Sequence, residues 1–268
     1  MNRHNAVRAP GGAACALLLA ALLAGCARMA SEKAGPVMTK TDAGTTTALP
    51  AAEVAARNNA LARFVHAVPG LAAIDLYAGD NKALEGVAYK STSAYRELPA
   101  ASAAYRLRLA GQAAGEPLAE ETRGLAAGHH HTVVAVPALA SGIFSKEGGV
   151  ELRFLADEFE APAAGKAKVR VFNASPDIDE IDLYAAGRAE PLVKGAKFGA
   201  SAAYADAEPA ASGLELRRAG ENITTLALPG VKVEAGRLYT VFVVGGTKGA
   251  SRLEAFVVED WFGAPPAR

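Results

Sequence analysis

Three consecutive histidines, His129, His130 and His131, are the residues of this 268-residue chain whose types most readily suggest chemistry. Imidazole is the commonest nitrogen ligand of zinc, copper and nickel in proteins. In a strand, however, His129 and His131 point to one side of the sheet and His130 to the other, so at most two of them converge on one ion. We therefore predict a turn that leads into a strand, with no metal site and no cofactor, and keep metal capture as a weaker alternative.

A second candidate is the alternating group of carboxylates at Asp177, Asp179, Glu180 and Asp182. Carboxylate oxygens are the ligands that calcium prefers. The segment lacks the glycine and the distal bidentate glutamate of an EF-hand loop. The pattern thus predicts an acidic, solvated loop in front of a strand.

Catalytic motifs are absent from the sequence. It contains no Gly-x-Ser-x-Gly, His-Glu-x-x-His, phosphate-binding loop or Ser-x-x-Lys pattern, and both of its cysteines, Cys15 and Cys26, lie near the N-terminus. With 28 basic and 28 acidic residues, the chain also lacks the positive charge that binding to nucleic acid requires. We predict no catalytic residues and a protein that is not an enzyme, although carboxylates that meet only in space would escape this search.

The N-terminus has the features of a bacterial export signal. Arg3 and Arg8 precede an uncharged stretch, residues 11–24, that is shorter than the about 20 residues of a membrane span. The stretch ends in Leu23-Ala24-Gly25-Cys26, which resembles the lipobox of bacterial lipoproteins. This resemblance implies that residues 1–25 are a signal peptide and that Cys26 carries the lipid; an ordinary cleaved signal and an uncleaved anchor over residues 9–27 are the alternatives.

Lipidation at Cys26 would place the protein in the cell envelope. A diacylglycerol together with an N-acyl chain gives a stable anchor, whereas one chain binds a membrane only marginally. Because Ala27 stands where retention in the inner membrane usually requires Asp, we expect the outer membrane if the source has two membranes, and otherwise the outer face of the cell membrane. Residues 26–58 are rich in Ala, Ser, Thr, Gly and Lys, which predicts a lipidated flexible tether with room for a short helix over residues 51–62.

Beyond the tether the chain contains two copies of one sequence repeat. Residues 63–69, RFVHAVP, match residues 170–176, RVFNASP, and the sequence IDLYA occurs at both 74–78 and 181–185. Each copy closes on a similar segment, DEFEAP in the first and DWFGAP in the second. An internal repeat of this kind predicts two copies of one fold. We place the first domain at residues 59–162 and the second at residues 166–268.

Each copy has the pattern of short strands. Apolar residues alternate with others at 74–77 and 181–184, which indicates strands with one buried face. The runs 132–136 and 238–244 are apolar almost throughout, as in central strands that are covered on both sides. With frequent Gly and Pro turns and no long helical pattern, we predict an all-β chain of two tandem immunoglobulin-like antiparallel β-sandwich domains.

Charged and aromatic residues recur at equivalent positions of the two copies. We expect Asp75 to lie opposite Arg63, and Asp182 opposite Arg170, as surface ion pairs that contribute about 0–1 kcal/mol each. Four tyrosines either face a partner or close the edge of the core with their hydroxyls in water. These tyrosines are Tyr77, Tyr95, Tyr184 and Tyr204.

The segments RFVHAVPGLAAIDLYA and RVFNASPDIDEIDLYA, each followed by a Gly-x-x-[YF] step and an Ala-Gly-x-x-[HY]-Thr-Val strand, resemble the domain-of-unknown-function 4397 family. The resemblance covers everything beyond the tether. It implies exported, commonly envelope-attached bacterial proteins built of paired β domains, and it supplies no site residues.

The predicted function is that of an exported, lipid-anchored envelope protein. It would act as a non-catalytic structural or binding module that recognises a protein or a glycan. An envelope hydrolase with carboxylates at the domain interface is the alternative.

Overall fold

The computed structural model describes residues 37–39, 51–139, 149–209, 213–246 and 251–260. The predicted signal peptide, Cys26 and most of the predicted tether lie outside these described residues. Residues Ala34–Arg268 form one compact unit, which contains both copies of the repeat. Within the described residues, no helix is both long enough and apolar enough to cross a membrane.

Nearly every described element is a strand. One short helix, α1, precedes the first copy of the repeat at Ala51–Ala56, within the segment where the sequence left room for a helix. A strand at Val37–Thr39, β1, precedes α1. The first copy contains β2 (Asn59–His66), β3 (Ile74–Ala78), β4 (Asn81–Val87), β5 (Arg96–Pro99), β6 (Ala103–Leu109), β7 (Ala119–Arg123), β8 (His130–Pro137) and β9 (Val150–Asp157). The second contains β10 (Ala167–Asn173), β11 (Glu180–Ala185), β12 (Pro191–Lys197), β13 (Ala205–Ala207), β14 (Leu214–Arg218), β15 (Thr224–Leu228), β16 (Leu238–Val244) and β17 (Glu254–Asp260).

Each copy of the repeat contributes an inner and an outer sheet. The inner sheet of the first copy has the order β5-β2-β8-β9 and the outer sheet β4-β3-β6-β7. The second copy has the inner order β17-β16-β10-β13 and the outer order β12-β11-β14-β15, and β1, from the predicted tether, adds to the edge of its inner sheet by pairing parallel with β17. The prediction of an all-β chain with two tandem sandwich units is confirmed.

The strand pairing is not purely antiparallel. Strand β2 runs parallel to β8, and β10 runs parallel to β16 in the same way. Parallel neighbours in one sheet need a crossover between them, and here the intervening strands of the outer sheet supply it. The first strand of each copy is thereby placed in the middle of its inner sheet.

Three apolar clusters hold the four sheets together. One fills the sandwich of the first copy, one fills that of the second, and the third lies between the two inner sheets. In the third cluster the rings of Phe172 and Phe242 lie 5.6 Å apart, and those of Phe242 and Phe256 lie 5.1 Å apart and stacked. Strands β8 and β16 are therefore buried on both faces, as predicted for the apolar runs 132–136 and 238–244.

The aspartate of each IDLYA segment holds a bulge in the outer sheet. Asp75 accepts a hydrogen bond from the backbone N–H of Gly86 at 2.7 Å, and Asp182 accepts one from Gly195 at the same distance. Both glycines have positive φ, +64° and +66°, and the pairing of β3 with β4 and of β11 with β12 shifts register beside the two aspartates.

The predicted partners of these two aspartates were wrong. Asp75 forms its ion pair with Lys82 at 2.9 Å, while Arg63 and Arg170 lie on the inner sheets. A charged side chain can pair only with a charge that it faces, and alternate residues of a strand face opposite sides of its sheet. Which charges pair therefore depends on the sheet to which each strand belongs.

Candidate functional site

Two buried ion pairs cross between the copies of the repeat. Arg63, on β2 of the first copy, binds Asp260 at the end of β17. Arg170, on β10 of the second copy, binds Asp157 at the end of β9, with 2.6 Å between Nη2 and Oδ1. All four side chains are between 0% and 3% exposed. We call them the crossed ion pairs, because each arginine neutralises the aspartate that closes the other copy.

Threonines connect each arginine to the aspartate of its own copy as well. Arg63 Nε donates a hydrogen bond to Thr132 Oγ1 at 2.9 Å, and the Thr132 hydroxyl donates to Asp157 Oδ2 at 2.5 Å. The same contacts occur in the second copy, from Arg170 to Thr240 at 2.8 Å and from Thr240 to Asp260 at 2.6 Å. The two ion pairs and the two threonines therefore form one continuous network.

Two of the four recurrent tyrosines complete this network. The Tyr95 hydroxyl donates to Asp157 Oδ2 at 2.9 Å, and the Arg63 guanidinium lies 5.0 Å from the Tyr95 ring centroid. Tyr204 donates to Asp260 Oδ2 at 2.5 Å. Burial raises the pKa of both phenols, so both stay protonated and act as donors. Neither places its hydroxyl in water at the edge of the core, contrary to that expectation.

The other two tyrosines lie on the outer sheets. Tyr77 and Tyr184 are only 8% and 6% exposed. The guanidinium of Arg217 lies 4.0 Å from the Tyr184 ring centroid, and that of Arg108 lies 5.9 Å from the Tyr77 ring. These cations cover the rings, which leaves little aromatic surface for stacking on a ligand.

Asp157 and the two arginines of the network stay charged near neutral pH. Burial alone would raise the pKa of Asp157, but the charges of Arg170 and Arg63 and the hydrogen bond from Thr132 outweigh burial and hold its pKa below the ordinary value. Burial alone would lower the pKa of Arg63, but the nearby Tyr95 and Asp260 raise it further above neutrality. A general acid needs a carboxyl whose pKa is raised toward neutrality, so Asp157 has the opposite tuning.

One end of the network opens onto a shallow depression of about 420 Å³. Phe159, in the segment that follows β9, lies between the two network tyrosines, 6.4 Å from the Tyr95 ring and 6.5 Å from the Tyr204 ring. Its ring is also 5.2 Å from His130. The depression is lined by Gly128, His129, His130, Asp157, Glu158, Phe159 and Glu160.

The three consecutive histidines occupy three different environments. His129 is exposed, and His130 lies edge-on to the Tyr95 ring with 5.1 Å between centroids. His131 is buried, and its Nε2 accepts a hydrogen bond from the backbone N–H of Ala126 at 3.1 Å. Burial lowers the pKa of His130 and His131. In the part of the chain that the structure describes, no three His, Cys, Asp or Glu side chains are placed to hold a metal ion.

The carboxylates of the acidic segment make separate contacts. Asp177 accepts a hydrogen bond from Ser175 Oγ at 3.0 Å, Glu180 pairs with Lys197 at 3.3 Å, and Asp182 holds its bulge. These carboxylates face different neighbours and do not converge on one point.

Sequence reasoning missed the network, although the repeat contained a signal for it. Arg63, Thr132, Tyr95 and Asp157 all align with identical residues in the second copy. Identity of polar residues across a duplicated unit marks a shared task, and the four identities lie far apart along the chain. Only the fold brings them together.

Comparison with known proteins shows one family. The family model described as a domain of unknown function, DUF4397, matches residues 60–184 and residues 167–268. Among curated proteins, none matches the chain.

Two solved structures show a limited likeness. The C-terminal domain of AlgF from P. aeruginosa is 22% identical, with 36% of this chain and 99% of that one covered and a TM-score of 0.29. A candidate cell adhesion protein from Bacteroides fragilis is 9% identical, with 77% of this chain and 100% of that one covered and a TM-score of 0.19. At these scores neither likeness bears on function.

Proposed function

This chain belongs to the DUF4397 family of domains of unknown function, and from that premise we propose that it is a lipid-anchored, non-catalytic binding module of the bacterial envelope. Its ligand is a protein or a glycan. The crossed ion pairs are the single observation that carries this proposal.

The contact between the two copies is where a two-domain enzyme would most often assemble its site. Here the buried charges at that contact are already matched: Asp157 with Arg170, and Asp260 with Arg63. The apolar cluster between the inner sheets fills the rest of the contact. The charged side chains and the apolar surface at the contact thus hold the two copies together. This arrangement favours a rigid binding body over a hydrolase with carboxylates at the interface.

A rigid pair of sandwiches presents loops at the strand ends and exposed side chains on the outer sheets. Recognition by loops on a rigid scaffold is a common use of such folds. The lining of the depression beside Phe159 combines aromatic and acidic side chains. We expect ligand contacts at these surfaces and not inside the contact between the copies.

The anchor is tested at Cys26, which lies outside the described residues. Wild type is expected to incorporate labelled palmitate and to sediment with membranes, whereas Cys26→Ser is expected to do neither. Separating inner and outer membranes on a density gradient tests the expected outer-membrane residence. A Cys26→Ser protein that still sediments with membranes after a salt wash would contradict lipid anchoring.

The ligand class is tested with a soluble form of residues 34–268, the compact unit. It is incubated separately with purified peptidoglycan and with stripped membranes of the source organism, and binding is followed by co-sedimentation. Saturable binding to either supports the binding module and identifies the ligand class, with an unrelated protein of equal mass as control. Turnover of a glycan or peptide substrate by the same protein would overturn the non-catalytic proposal.

A further inference from the structure

The first loop of each copy is closed by one buried side chain, but the two copies use different residues. Asn173, at the end of β10, accepts a hydrogen bond from the backbone N–H of Ser175 at 3.0 Å and donates from Nδ2 to the carbonyl of Ile178 at 2.7 Å. His66, at the end of β2, takes the equivalent position. Both side chains are 0% exposed. Each one therefore bridges the two ends of the loop that leads to the next strand.

His66 can do this work only as a neutral imidazole. Its Nδ1 accepts a hydrogen bond from the backbone N–H of Val68 at 3.2 Å, and its Nε2 lies 3.1 Å from the carbonyl oxygen of Ala72. The first contact needs an unprotonated Nδ1 and the second needs a proton on Nε2, which together specify the neutral Nε2–H tautomer. A proton on Nδ1 would face the N–H of Val68 and break the loop closure. The side-chain amide of Asn173 does not take up a proton in this way, so it has a single protonation state.

The surroundings of His66 offer no compensation for a positive charge. The ring of Tyr89 lies edge-on at 5.9 Å, and Lys90, the residue after Tyr89, pairs with Glu254 at 3.1 Å. Burial lowers the pKa of His66, and the hydrogen bonds to the loop carbonyls only partly oppose this effect. His66 therefore cannot be protonated while the loop stays closed.

We propose that residues 67–73 form an acid-operated latch: protonation of His66 releases this loop, while the equivalent loop of the second copy stays closed because Asn173 does not titrate. The direction of the pH dependence follows from the linkage between proton binding and loop opening. Above about pH 6.5, the ordinary pKa of histidine, the open loop gains no proton and the latch stays shut. Below it the open loop takes up a proton that the closed loop excludes, so the population of the open loop grows about tenfold per pH unit.

Release would change the surface at one end of the first copy. Val68 is buried in the apolar cluster of that copy, and Leu71 packs against the same cluster. Opening exposes both apolar side chains together with the backbone N–H of Val68. The second copy, which keeps Ile178 buried, serves as an internal reference in the same molecule.

The test is hydrogen exchange of single amides in the full-length protein, purified in detergent, at about pH 7.5 and about pH 5. Rates are expressed as protection factors, which remove the effect of pH on intrinsic exchange. We expect the Val68 protection factor to fall more than tenfold between the two pH values, while that of Ser175 stays constant. A constant Val68 protection factor, or an equal fall at both amides, would overturn the latch.

Exchanging the two closing residues sharpens the test. His66→Asn copies the side chain that closes the second loop, so it is expected to keep Val68 protected at both pH values. Asn173→His is the reciprocal variant and is expected to make Ser175 protection acid-sensitive. If His66→Asn loses Val68 protection in acid as wild type does, another group controls the loop and the proposal fails. His129→Asn, at an exposed histidine, is the matched control and is expected to behave as wild type.

Discussion

The two copies of the repeat keep the same network where they touch each other and differ where each closes its own loops. The contact uses Arg, Thr, Tyr and Asp in both copies, and the Arg–Thr and Thr–Asp hydrogen bonds of the two copies agree in length within 0.1 Å. The loops use His66 against Asn173, and His131 against Tyr239, which accepts the backbone N–H of Glu234 at 3.2 Å as His131 accepts that of Ala126.

This difference shows that the loops of the two copies keep the hydrogen-bonding role of a buried side chain but use different residue types for it. Any buried acceptor at the right distance satisfies a backbone donor. An ion pair between two copies needs a particular charge on each side, because an unmatched buried charge is costly. The loops of the first copy thus contain imidazoles, where the equivalent loops of the second copy contain an amide and a phenol.

The largest effect is expected from breaking one crossed ion pair. Asp260→Asn leaves the buried Arg63 without its counter-charge, and we expect unfolding to become easier by about 3–5 kcal/mol. The equivalent variant Asp157→Asn should cost a similar amount, because the contacts are matched. Urea unfolding followed by fluorescence and by circular dichroism provides the measurement.

Those two variants also test whether the copies fold together. Since each ion pair joins both copies, each variant should lower the stability of the whole body in one transition. Two separate transitions, with one copy unaffected, would contradict the joint role of the network. The double variant Arg63→Met with Asp260→Leu should recover part of the loss, because it removes both charges.

A medium effect is expected at a turn where the copies differ. Gly199 has φ of +71°, and a Cβ there would lie 2.6 Å from Arg153 Nε of the first copy. Its counterpart in the first copy, Lys90, has φ of +60° without being glycine. Gly199→Ala is expected to destabilise by about 1–2 kcal/mol through its left-handed backbone, measured as a lower melting temperature.

Lys90→Gly is the matched variant at the same turn. It relieves the left-handed backbone but removes the ion pair with Glu254, so the two effects should nearly cancel. A clear loss of stability in Lys90→Gly would mean that the ion pair contributes more than partly exposed pairs usually do.

The smallest effect is expected in the core of the first copy. Tyr105 is fully buried, and within the described residues its hydroxyl has no hydrogen-bond partner. The second copy has Leu214 at the equivalent position, so the fold does not require the hydroxyl. Tyr105→Phe is expected to be neutral or to stabilise by up to about 1 kcal/mol, because an unpaired buried hydroxyl carries a desolvation penalty. Destabilisation by more than that in chemical unfolding would reveal a partner for the hydroxyl.

Much of the fold could be predicted from local patterns. The apolar run at 132–136 correctly indicated a strand covered on both faces, because its residues are apolar on both sides. The alternation at residues 74–77 predicted one buried face, which was wrong: all four residues are buried, because Asp75 pairs within the sheet and a cation lies near the Tyr77 ring. The parallel pairing of β2 with β8 could not be predicted in this way, since it depends on which sheet the intervening strands join.

The candidate site was less accessible to sequence reasoning. Pairing Arg63 with Asp75 was the natural interpretation because they lie on consecutive strands of one copy, but these strands belong to different sheets. The actual partner, Asp260, lies in the other copy, and nothing in the spacing of the residues indicates a contact across two packed sheets. The expectation that at most two of His129, His130 and His131 converge came from strand geometry, which is local; in the structure β8 begins at His130, so His129 precedes the strand.

The sequence by itself determined that the chain is duplicated and that both copies are built of short strands. These features follow from the order and periodicity of residues within short segments. Only the tertiary structure decided that the copies share their buried charges, because an ion pair depends on distance in space and the packing of the two inner sheets sets that distance. Through this packing, the arginine of each copy pairs with the aspartate at the end of the other copy.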